Sequence, residues 1–139
     1  MNIVLIEDSE DDAFFFFHAL KGTGLPAEVT HLPGGSEAIT FLTELSEGKH
    51  ATPDLIFLDL KLPVYSGFDI LQWLKDRSML GGLRIAILSG SDHPSDLQTA
   101  REFGIMDYLV KPLSPDDLRR RIQAAGKAAP PAAALSRTS

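Results

Sequence analysis

The chain carries, near its middle, the stretch Asp54-Leu55-Ile56-Phe57-Leu58-Asp59-Leu60-Lys61-Leu62-Pro63. Four consecutive apolar residues, Leu55 to Leu58, lie there between polar or proline boundaries. A short continuous apolar run is typical of a strand covered on both faces, as in a parallel sheet between layers of helices. Asp59 directly follows the run, so we expect its carboxylate at the carboxyl end of a central strand, where open α/β sheets bind ligands. Taken alone, Asp59 could equally be a turn or capping carboxylate.

Strand-like and helix-like segments alternate on both sides of this stretch. Four further apolar runs predict strands at residues 3–6, 28–32, 84–88 and 107–110. Each predicted strand is followed by a segment that opens with residues typical of a helix start, namely Ser9, Gly34, Ser66, Pro94 and Ser114. Five strand–helix units in succession predict an α/β fold, with a parallel sheet, helices on both faces and right-handed crossovers.

The first predicted helix, which ends near Gly22, carries four consecutive phenylalanines at positions 14–17. A helix advances about 100° per residue, so it cannot bury all four rings. The spacing i, i+3, i+4 and i+7 predicts a core face that consists of Ala13, Phe16, Phe17 and Leu20. Phe14 then falls at the boundary of the core, and Phe15 is predicted to face solvent.

Composition restricts the class of protein. The formal net charge of −6 argues against binding to nucleic acid or to an anionic membrane surface. The chain has no cysteine, so disulfides, thiolate metal sites and cysteine nucleophiles are excluded. No signal peptide or membrane span is visible, and we expect a cytoplasmic protein. One domain is predicted for residues 1–126, followed by an Ala/Pro-rich tail at 127–139 that we expect to be disordered.

Reactive side chains follow four of the five predicted strands. Glu7 and Asp8 end the first strand, Asp59 the third, Ser89 the fourth and Lys111 the fifth. The carboxyl ends of parallel strands gather at one edge, where clustered carboxylates need a cation, and oxygen ligands in an open site suit Mg²⁺. A lysine and a hydroxyl beside them can bind an anion. The set predicts a site in which Asp59 is the nucleophile that accepts a phosphoryl group.

The order and spacing of Glu7-Asp8, Asp59, Ser89 and Lys111-Pro112 match a known family. Over about residues 2–125 the chain resembles the receiver domain of two-component response regulators, in particular the stand-alone, single-domain, chemotaxis-regulator-like type. The resemblance implies a flavodoxin-like, doubly wound fold whose five parallel strands have the order 2-1-3-4-5. It also implies a signalling phosphoacceptor that catalyses only its own phosphorylation and dephosphorylation, and not an enzyme that acts on other substrates.

The resemblance assigns a role to each residue of the acidic cluster. It implies that Asp59 accepts a phosphoryl group from a sensor histidine kinase or a phosphotransfer protein. It further implies that Asp8, Asp59 and the backbone carbonyl of Lys61 hold Mg²⁺, and that Glu7 acts on the metal through water.

The remaining implied roles concern switching and partners. Ser89 and Lys111 are expected to bind the phosphoryl oxygens, Tyr108 to follow Ser89 inward, and the Lys111–Pro112 bond to be cis. The surface of the fourth helix, fifth strand and fifth helix is expected to change its association with partners or with a second copy of the chain. Some receivers of this type serve phytochrome-type kinases. Phe15 lies on the helix that docks kinases in this family, so it is a candidate docking residue.

Two positions depart from the family pattern, and three alternatives stay open. Lys61, two positions after Asp59, stands where asparagine or methionine is common. Ser91, two positions after Ser89, is small and neutral. Neither residue predicts how fast water reaches the site or how long the phosphorylated state lasts. A flavodoxin-like cofactor binder would need a phosphate loop after the first strand, where five of the six residues at 7–12 are acids that would repel a phosphate. A Mg²⁺-dependent phosphohydrolase commonly has a second acid at the place of Lys61. The third alternative is a receiver-like interaction module that is not phosphorylated.

Overall fold

The computed structural model describes residues 1–127, and five strands and five α-helices alternate along them. In chain order they are β1 (Asn2–Ile6), α1 (Glu10–Thr23), β2 (Glu28–Leu32), α2 (Gly35–Ser46), β3 (Leu55–Asp59), α3 (Gly67–Asp76), β4 (Ile85–Ser89), α4 (Pro94–Glu102), β5 (Asp107–Val110) and α5 (Pro115–Lys127). Apart from Lys127, the tail predicted at 127–139 lies outside the described residues. None of the helices described is long and apolar enough to cross a membrane.

The strands form one parallel sheet in the order β2-β1-β3-β4-β5, which confirms the predicted fold. All residues of β3 and β4 are buried, because helices cover both faces of these inner strands, whereas β2 at the edge keeps exposed positions. In the register of the sheet, Leu58 pairs with Ile6 of β1 and with Ile87 of β4. The inner strands therefore end level with one another, and the residues that follow them meet at one edge.

Side chains of successive strand residues point into two different hydrophobic clusters. Strand residues Ile3, Leu5, Leu55 and Phe57 pack with the buried side chains of α1 and α5 on one face of the sheet. Their neighbours Val4, Ile6, Ile56 and Leu58 pack with α2, α3 and α4 on the other face. This alternation follows from the two-residue period of a strand. It explains why the sequence shows a continuous apolar run here instead of an alternating one.

Side-chain caps mark the starts of α1, α3 and α5. Ser9 Oγ accepts a hydrogen bond from the Asp12 N–H (3.2 Å) at the start of α1. Ser66 and Asp69 form a reciprocal capping box at the start of α3. Ser114 Oγ caps α5 through the Asp117 N–H (3.1 Å). These caps satisfy amide groups that have no partner within the helix, and they place helix N-termini at the same edge as the strand ends.

The prediction that Phe17 belongs to the core is wrong. Its side chain is 40% exposed, and its ring meets the edge of the His31 ring on β2 at 6.2 Å between centroids. The buried face of α1 is instead centred on Phe16 and includes Ala13, Ala19, Leu20 and Thr23. Phe17 lies on the flank of that face, beside the edge strand, where no further strand covers it. Phe15 is 55% exposed, as predicted, and Phe14 is exposed by 65% instead of lying at the boundary.

Candidate functional site

The carboxyl ends of β1, β3, β4 and β5 meet at one edge of the sheet. Glu7 directly follows β1, and its N–H still donates to the Leu32 carbonyl of β2 (3.1 Å). Asp59 is the last residue of β3 and Ser89 the last of β4. Lys111 directly follows β5, and its N–H donates to the Ser89 carbonyl (2.7 Å). The structure therefore brings together side chains that are up to 104 positions apart in the sequence.

Glu7, Asp8 and Asp59 form a cluster in which each residue offers one carboxylate oxygen, and these oxygens lie within 4.8 Å of one another. Glu7 and Asp59 are buried and Asp8 is exposed, so one side of the cluster is open to solvent. The Lys61 N–H donates to Asp59 Oδ1 (3.3 Å), which keeps that backbone beside the cluster. Hard divalent cations prefer oxygen ligands and retain waters on an open side. The donor set thus fits a divalent metal ion.

Lys111 is the cation that faces these carboxylates in the structure. Its Nζ donates to Glu7 Oε1 (2.6 Å) and to Asp12 Oδ2 (2.9 Å), and it lies 3.4 Å from Asp59 Oδ2. Burial by itself would lower the pKa of Lys111, but the hydrogen bonds to Glu7 and Asp12 and the charge of Asp59 raise it well above its ordinary value. The ammonium is therefore charged at any physiological pH and can bind an anion at Asp59.

Glu7 has a strongly perturbed carboxyl group. Burial and the neighbouring Asp59 together raise the pKa of Glu7 from 4.5 to about 7, although Lys111 acts in the opposite direction. Close carboxylates repel one another unless a cation or a proton is added. A proton on Glu7 and a metal ion at the cluster are thus alternative ways to reduce the same repulsion.

Ser89 and Tyr108 are connected through the backbone of Ser91. Ser89 Oγ accepts a hydrogen bond from the Ser91 N–H (3.1 Å), and the Tyr108 hydroxyl donates to the Ser91 carbonyl (2.8 Å). Burial raises the pKa of Tyr108, so its hydroxyl stays protonated and remains a donor at neutral pH. If Ser89 rotates towards another acceptor, the Ser91 N–H loses its partner. The Ser91 backbone, whose carbonyl accepts from the Tyr108 hydroxyl, would then have one restraint fewer.

Gly67 allows α3 to begin directly against the end of β3. A Cβ atom at this position would lie 2.4 Å from the Asp59 carbonyl oxygen and 2.8 Å from the Leu60 Cα. Both are backbone atoms that cannot turn aside as a flexible side chain can. The absence of a side chain at Gly67 is therefore a condition for the packing of the loop that carries Asp59 and Lys61.

An apolar groove of about 430 Å³ opens beside the acidic cluster, between the start of α1 and the segment that joins β5 to α5. The Lys111–Pro112 bond in that segment is cis. Phe15, Phe16, Pro112 and Leu113 line the groove together with the inner residues Glu7, Asp12, Leu88 and Lys111. Phe15 thus borders the site itself, whereas Phe14 is not among the lining residues.

Two residues of the site were not singled out by the sequence analysis. Asp12 belongs to the acidic segment at residues 7–12, where no local signal distinguishes it from the neighbouring acids. His31 Nε2 lies 2.8 Å from the Glu7 carbonyl oxygen and ties β2 to the segment that carries the cluster. No signal in the sequence distinguished His31 from an ordinary residue of an edge strand.

Comparison with known proteins agrees with this geometry. The chain is 30% identical to response regulator Rcp1 of Synechocystis sp. over 122 residues, which cover 87% of this chain and 83% of Rcp1. A solved structure of Rcp1 in a Mn²⁺-bound form has a TM-score of 0.73, 28% identity and coverage of 94% of this chain and 99% of that one. Other curated relatives are longer, and the chain spans about half of their length, 53% of one and 49% of another.

Two further solved structures share the whole fold. The bacteriophytochrome response regulator AtBRR has a TM-score of 0.78 and 29% identity, with coverage of 92% of this chain and 94% of that one. The phosphorylated cyanobacterial phytochrome response regulator RcpA has the same TM-score and 26% identity, with coverage of 94% of this chain and 98% of that one. The model of the response regulator receiver domain matches residues 3–123. The chain therefore belongs to the response regulator receiver domain family, the signalling phosphoacceptors of two-component systems.

Proposed function

We propose that this chain is a cytoplasmic, single-domain response regulator whose Asp59 accepts a phosphoryl group from a histidine kinase or a phosphotransfer protein. The observation that carries the proposal is the position of Asp59, which is buried at the end of β3, belongs to the acidic cluster and lies 3.4 Å from Lys111 Nζ. Residues 1–126 form the receiver domain in this proposal. The similarity over 83% of Rcp1 and 94% of AtBRR supports the single-domain type.

The proposed transfer uses Asp59 as the nucleophile. An Asp59 carboxylate oxygen attacks phosphorus, and a P–O bond forms while the P–N bond to the donor imidazole breaks. The electron pair of the P–N bond stays on the imidazole nitrogen, which takes up a proton from water, and the product is an acyl phosphate on Asp59. Lys111 donates to a phosphoryl oxygen and balances part of its charge, and Ser89 donates to another after it leaves the Ser91 N–H.

Mg²⁺ is the metal that we propose for the acidic cluster. Asp8, Asp59 and the backbone carbonyl of Lys61 would hold it, with Glu7 acting through water. When bound, Mg²⁺ neutralises charge on the carboxylates and on the transferring group. The oxygen-only ligand set and its open side support this choice.

Acetyl phosphate provides the direct test of the proposed function, because a small donor needs no docked partner. Incubation with acetyl phosphate and Mg²⁺ should add the mass of one phosphoryl group to the intact protein. The adduct should not form when EDTA replaces Mg²⁺. A protein that stays unmodified in both samples would support the alternative of an unphosphorylated interaction module, and continuous turnover of the donor without a stable adduct would support a phosphohydrolase.

The proposed switch runs from Ser89 to Tyr108 through Ser91. We expect beryllofluoride, a phosphoryl mimic, to change the NMR signals of the Tyr108 ring in the parent protein when Mg²⁺ is present. The Ser89→Ala variant should bind the mimic without this change, because no hydroxyl leaves the Ser91 N–H. The chain has two tyrosines, so the signal of Tyr108 is readily assigned.

Ser91→Ala is the matched control for the switch. Its side chain accepts from the His93 N–H, whereas the bridge to Tyr108 uses only its backbone, so the Tyr108 response should persist. An equal response in Ser89→Ala and in the parent would contradict the proposed route. Sedimentation with and without beryllofluoride then shows whether the surface of α4, β5 and α5 changes the association of two copies.

Phe15 is the residue that we propose for docking of the phosphodonor. Its exposed ring borders the groove beside Lys111. An aromatic ring that becomes buried when a partner binds can contribute a few kcal/mol to the interface. Phe15→Ala should leave phosphorylation by acetyl phosphate unchanged. Transfer from the cognate kinase, of phytochrome type in this proposal, should slow at least tenfold, and a factor of ten corresponds to about 1.4 kcal/mol. Phe14→Ala is the control, because Phe14 is also an exposed aromatic residue but does not line the groove. Equal kinase rates for both variants would show that Phe15 is an ordinary surface residue.

A further inference from the structure

The geometry points to a role for Asp12 that rests on the proposed function: Asp12 is a positioning residue that holds the Lys111 ammonium away from Asp59 and restrains phosphorylation. Asp12 binds Lys111 in the unphosphorylated protein, and it would compete for the same ammonium with a phosphoryl group on Asp59. Removal of the Asp12 charge is therefore expected to favour the phosphorylated state, whereas removal of a charge elsewhere on the same helix turn is not.

The distances around Lys111 show which carboxylates bind its ammonium group. An ammonium group has three N–H donors. Two of them are used in hydrogen bonds to Glu7 Oε1 (2.6 Å) and Asp12 Oδ2 (2.9 Å), whereas Asp59 Oδ2 lies at 3.4 Å, beyond an ordinary charge-assisted hydrogen bond. Lys111 is thus bound more closely to Glu7 and Asp12 than to the carboxylate that receives the phosphoryl group. It has to move or redirect a donor before it can bind a phosphoryl oxygen on Asp59.

The first turn of α1 holds Asp12 in position beside Lys111. Its backbone N–H donates to Ser9 Oγ (3.2 Å), and the Ala13 N–H donates to the Ser9 carbonyl (2.9 Å), so the first turn of the helix fixes the position of this carboxylate. Asp12 does not belong to the cluster of Glu7, Asp8 and Asp59 that fits a metal ion. A metal ion at that cluster would compete with Lys111 for Glu7, but it would leave the pair of Asp12 and Lys111 intact.

The negative charge of Asp12 determines whether this residue favours or disfavours the phosphorylated state. A phosphoryl group on Asp59 brings negative charge close to Lys111, and the Asp12 carboxylate both repels that charge and occupies one of the Lys111 donors. Both effects disfavour the phosphorylated state. The side chain of Asp12 is 38% exposed, so solvent screens the pair, and the expected effect is a few-fold change and not a loss of function.

The experiment compares Asp12→Asn with Asp11→Asn. Asparagine keeps the size of aspartate and removes its charge. Asp11 is an exposed acid in the same first turn and is not among the carboxylates that contact Lys111 in the described residues, so its variant is matched in charge and helix position. Beryllofluoride is titrated into each protein at saturating Mg²⁺ and followed by ¹⁹F NMR. The rate of modification by acetyl phosphate is measured by intact mass.

We expect Asp12→Asn to bind beryllofluoride about threefold more tightly than the parent and to react with acetyl phosphate faster by a similar factor, the scale of a partly exposed ion pair. Asp11→Asn should match the parent. Equal affinities and rates for the two variants, or weaker binding by Asp12→Asn, would overturn the inference. If the parent itself neither binds beryllofluoride nor reacts with acetyl phosphate, the proposed function fails and not only the role of Asp12.

A second measurement needs neither metal nor phosphoryl group. The ¹⁵Nζ signal of Lys111 is recorded at neutral pH in metal-free protein. Its chemical shift should change in Asp12→Asn, because one of the two acceptors that bind the ammonium has lost its charge. It should be unchanged in Asp11→Asn. An unchanged Lys111 signal in Asp12→Asn would contradict the proposed pairing.

Discussion

Asp59→Asn should abolish phosphorylation by acetyl phosphate and leave the protein folded. The amide has the shape of the carboxylate, but its oxygen is a poor nucleophile, and the other carboxylates of the cluster do not occupy the end of β3. Metal-free Asp59→Asn should be as stable as the parent or more stable by about 1 kcal/mol, because one of three mutually repelling carboxylates has lost its charge while Lys111 keeps its bonds to Glu7 and Asp12. Intact mass measures the adduct, and urea denaturation measures the free energy of unfolding.

The matched control is an acid at the opposite end of the same strand. Asp54 immediately precedes β3, and its Oδ2 accepts a hydrogen bond from the Asn2 N–H (2.7 Å). Asp54→Asn changes the net charge by the same amount and should keep the adduct, because the amino end of β3 faces away from the cluster. An undiminished adduct in Asp59→Asn would sink the assignment of the phosphoacceptor.

The fold could be predicted from the sequence because its signals are local and repeated. Each inner strand is a short apolar run, since helices cover both of its faces, and each run ends in a residue with chemical function. Parallel pairing then brings the ends together whatever the details of packing. For this reason Glu7, Asp59, Ser89 and Lys111, which the sequence places at the strand ends, lie at one edge of the sheet.

The misplaced Phe17 shows what helical spacing cannot determine. Periodicity gives the direction of a side chain around the helix axis, but it does not give the width of the surface that the sheet offers beneath the helix. α1 packs beside the edge strand β2, so a ring on its flank extends past the covered surface and meets His31 instead of the core. Ala19, which periodicity did not select, occupies part of the buried face instead.

The contacts of Asp12 and Ser91 could not be predicted because they depend on distant or backbone groups. The partner of Asp12 is Lys111, which is 99 positions away in the sequence. The helix start contains several acids, and the sequence gives no reason to choose Asp12 among them. Ser91 connects Ser89 to Tyr108 through its backbone N–H and carbonyl, which a sequence does not distinguish from those of any other residue. The residues that follow the strands were thus easier to place from the sequence than the residues that contact them.

Glu7→Gln should change how the stability of the metal-free protein depends on pH. Burial and Asp59 raise the pKa of Glu7 from 4.5 to about 7 in the folded protein. Between these two values the folded state binds more protons than the unfolded state, so the contribution of Glu7 to stability falls as pH rises and is lowest above about pH 7. Because 2.5 pKa units correspond to about 3 kcal/mol at most, we expect the parent to lose about 1–3 kcal/mol from this source between pH 5 and pH 8.

Glutamine does not ionise, and it retains an oxygen that can accept from Lys111, so Glu7→Gln should not show this loss. The difference in free energy of unfolding between variant and parent should therefore be small at pH 5 and favour the variant at pH 8. Glu10→Gln, a change of an exposed acid on the same segment, should run parallel to the parent. Urea denaturation at both pH values makes the comparison.

Mg²⁺ should reverse the order of stability at pH 8, because a carboxylate that binds a cation must first lose its proton. In the parent, the cation replaces the proton on Glu7 and removes the repulsion within the cluster, so the stabilisation by Mg²⁺ should increase from pH 5 to pH 8. In Glu7→Gln this increase should be smaller, since one carboxylate is missing. Parallel pH profiles of parent and variant, with and without Mg²⁺, would show that Glu7 does not release a proton between the two pH values and would contradict this coupling between proton and cation.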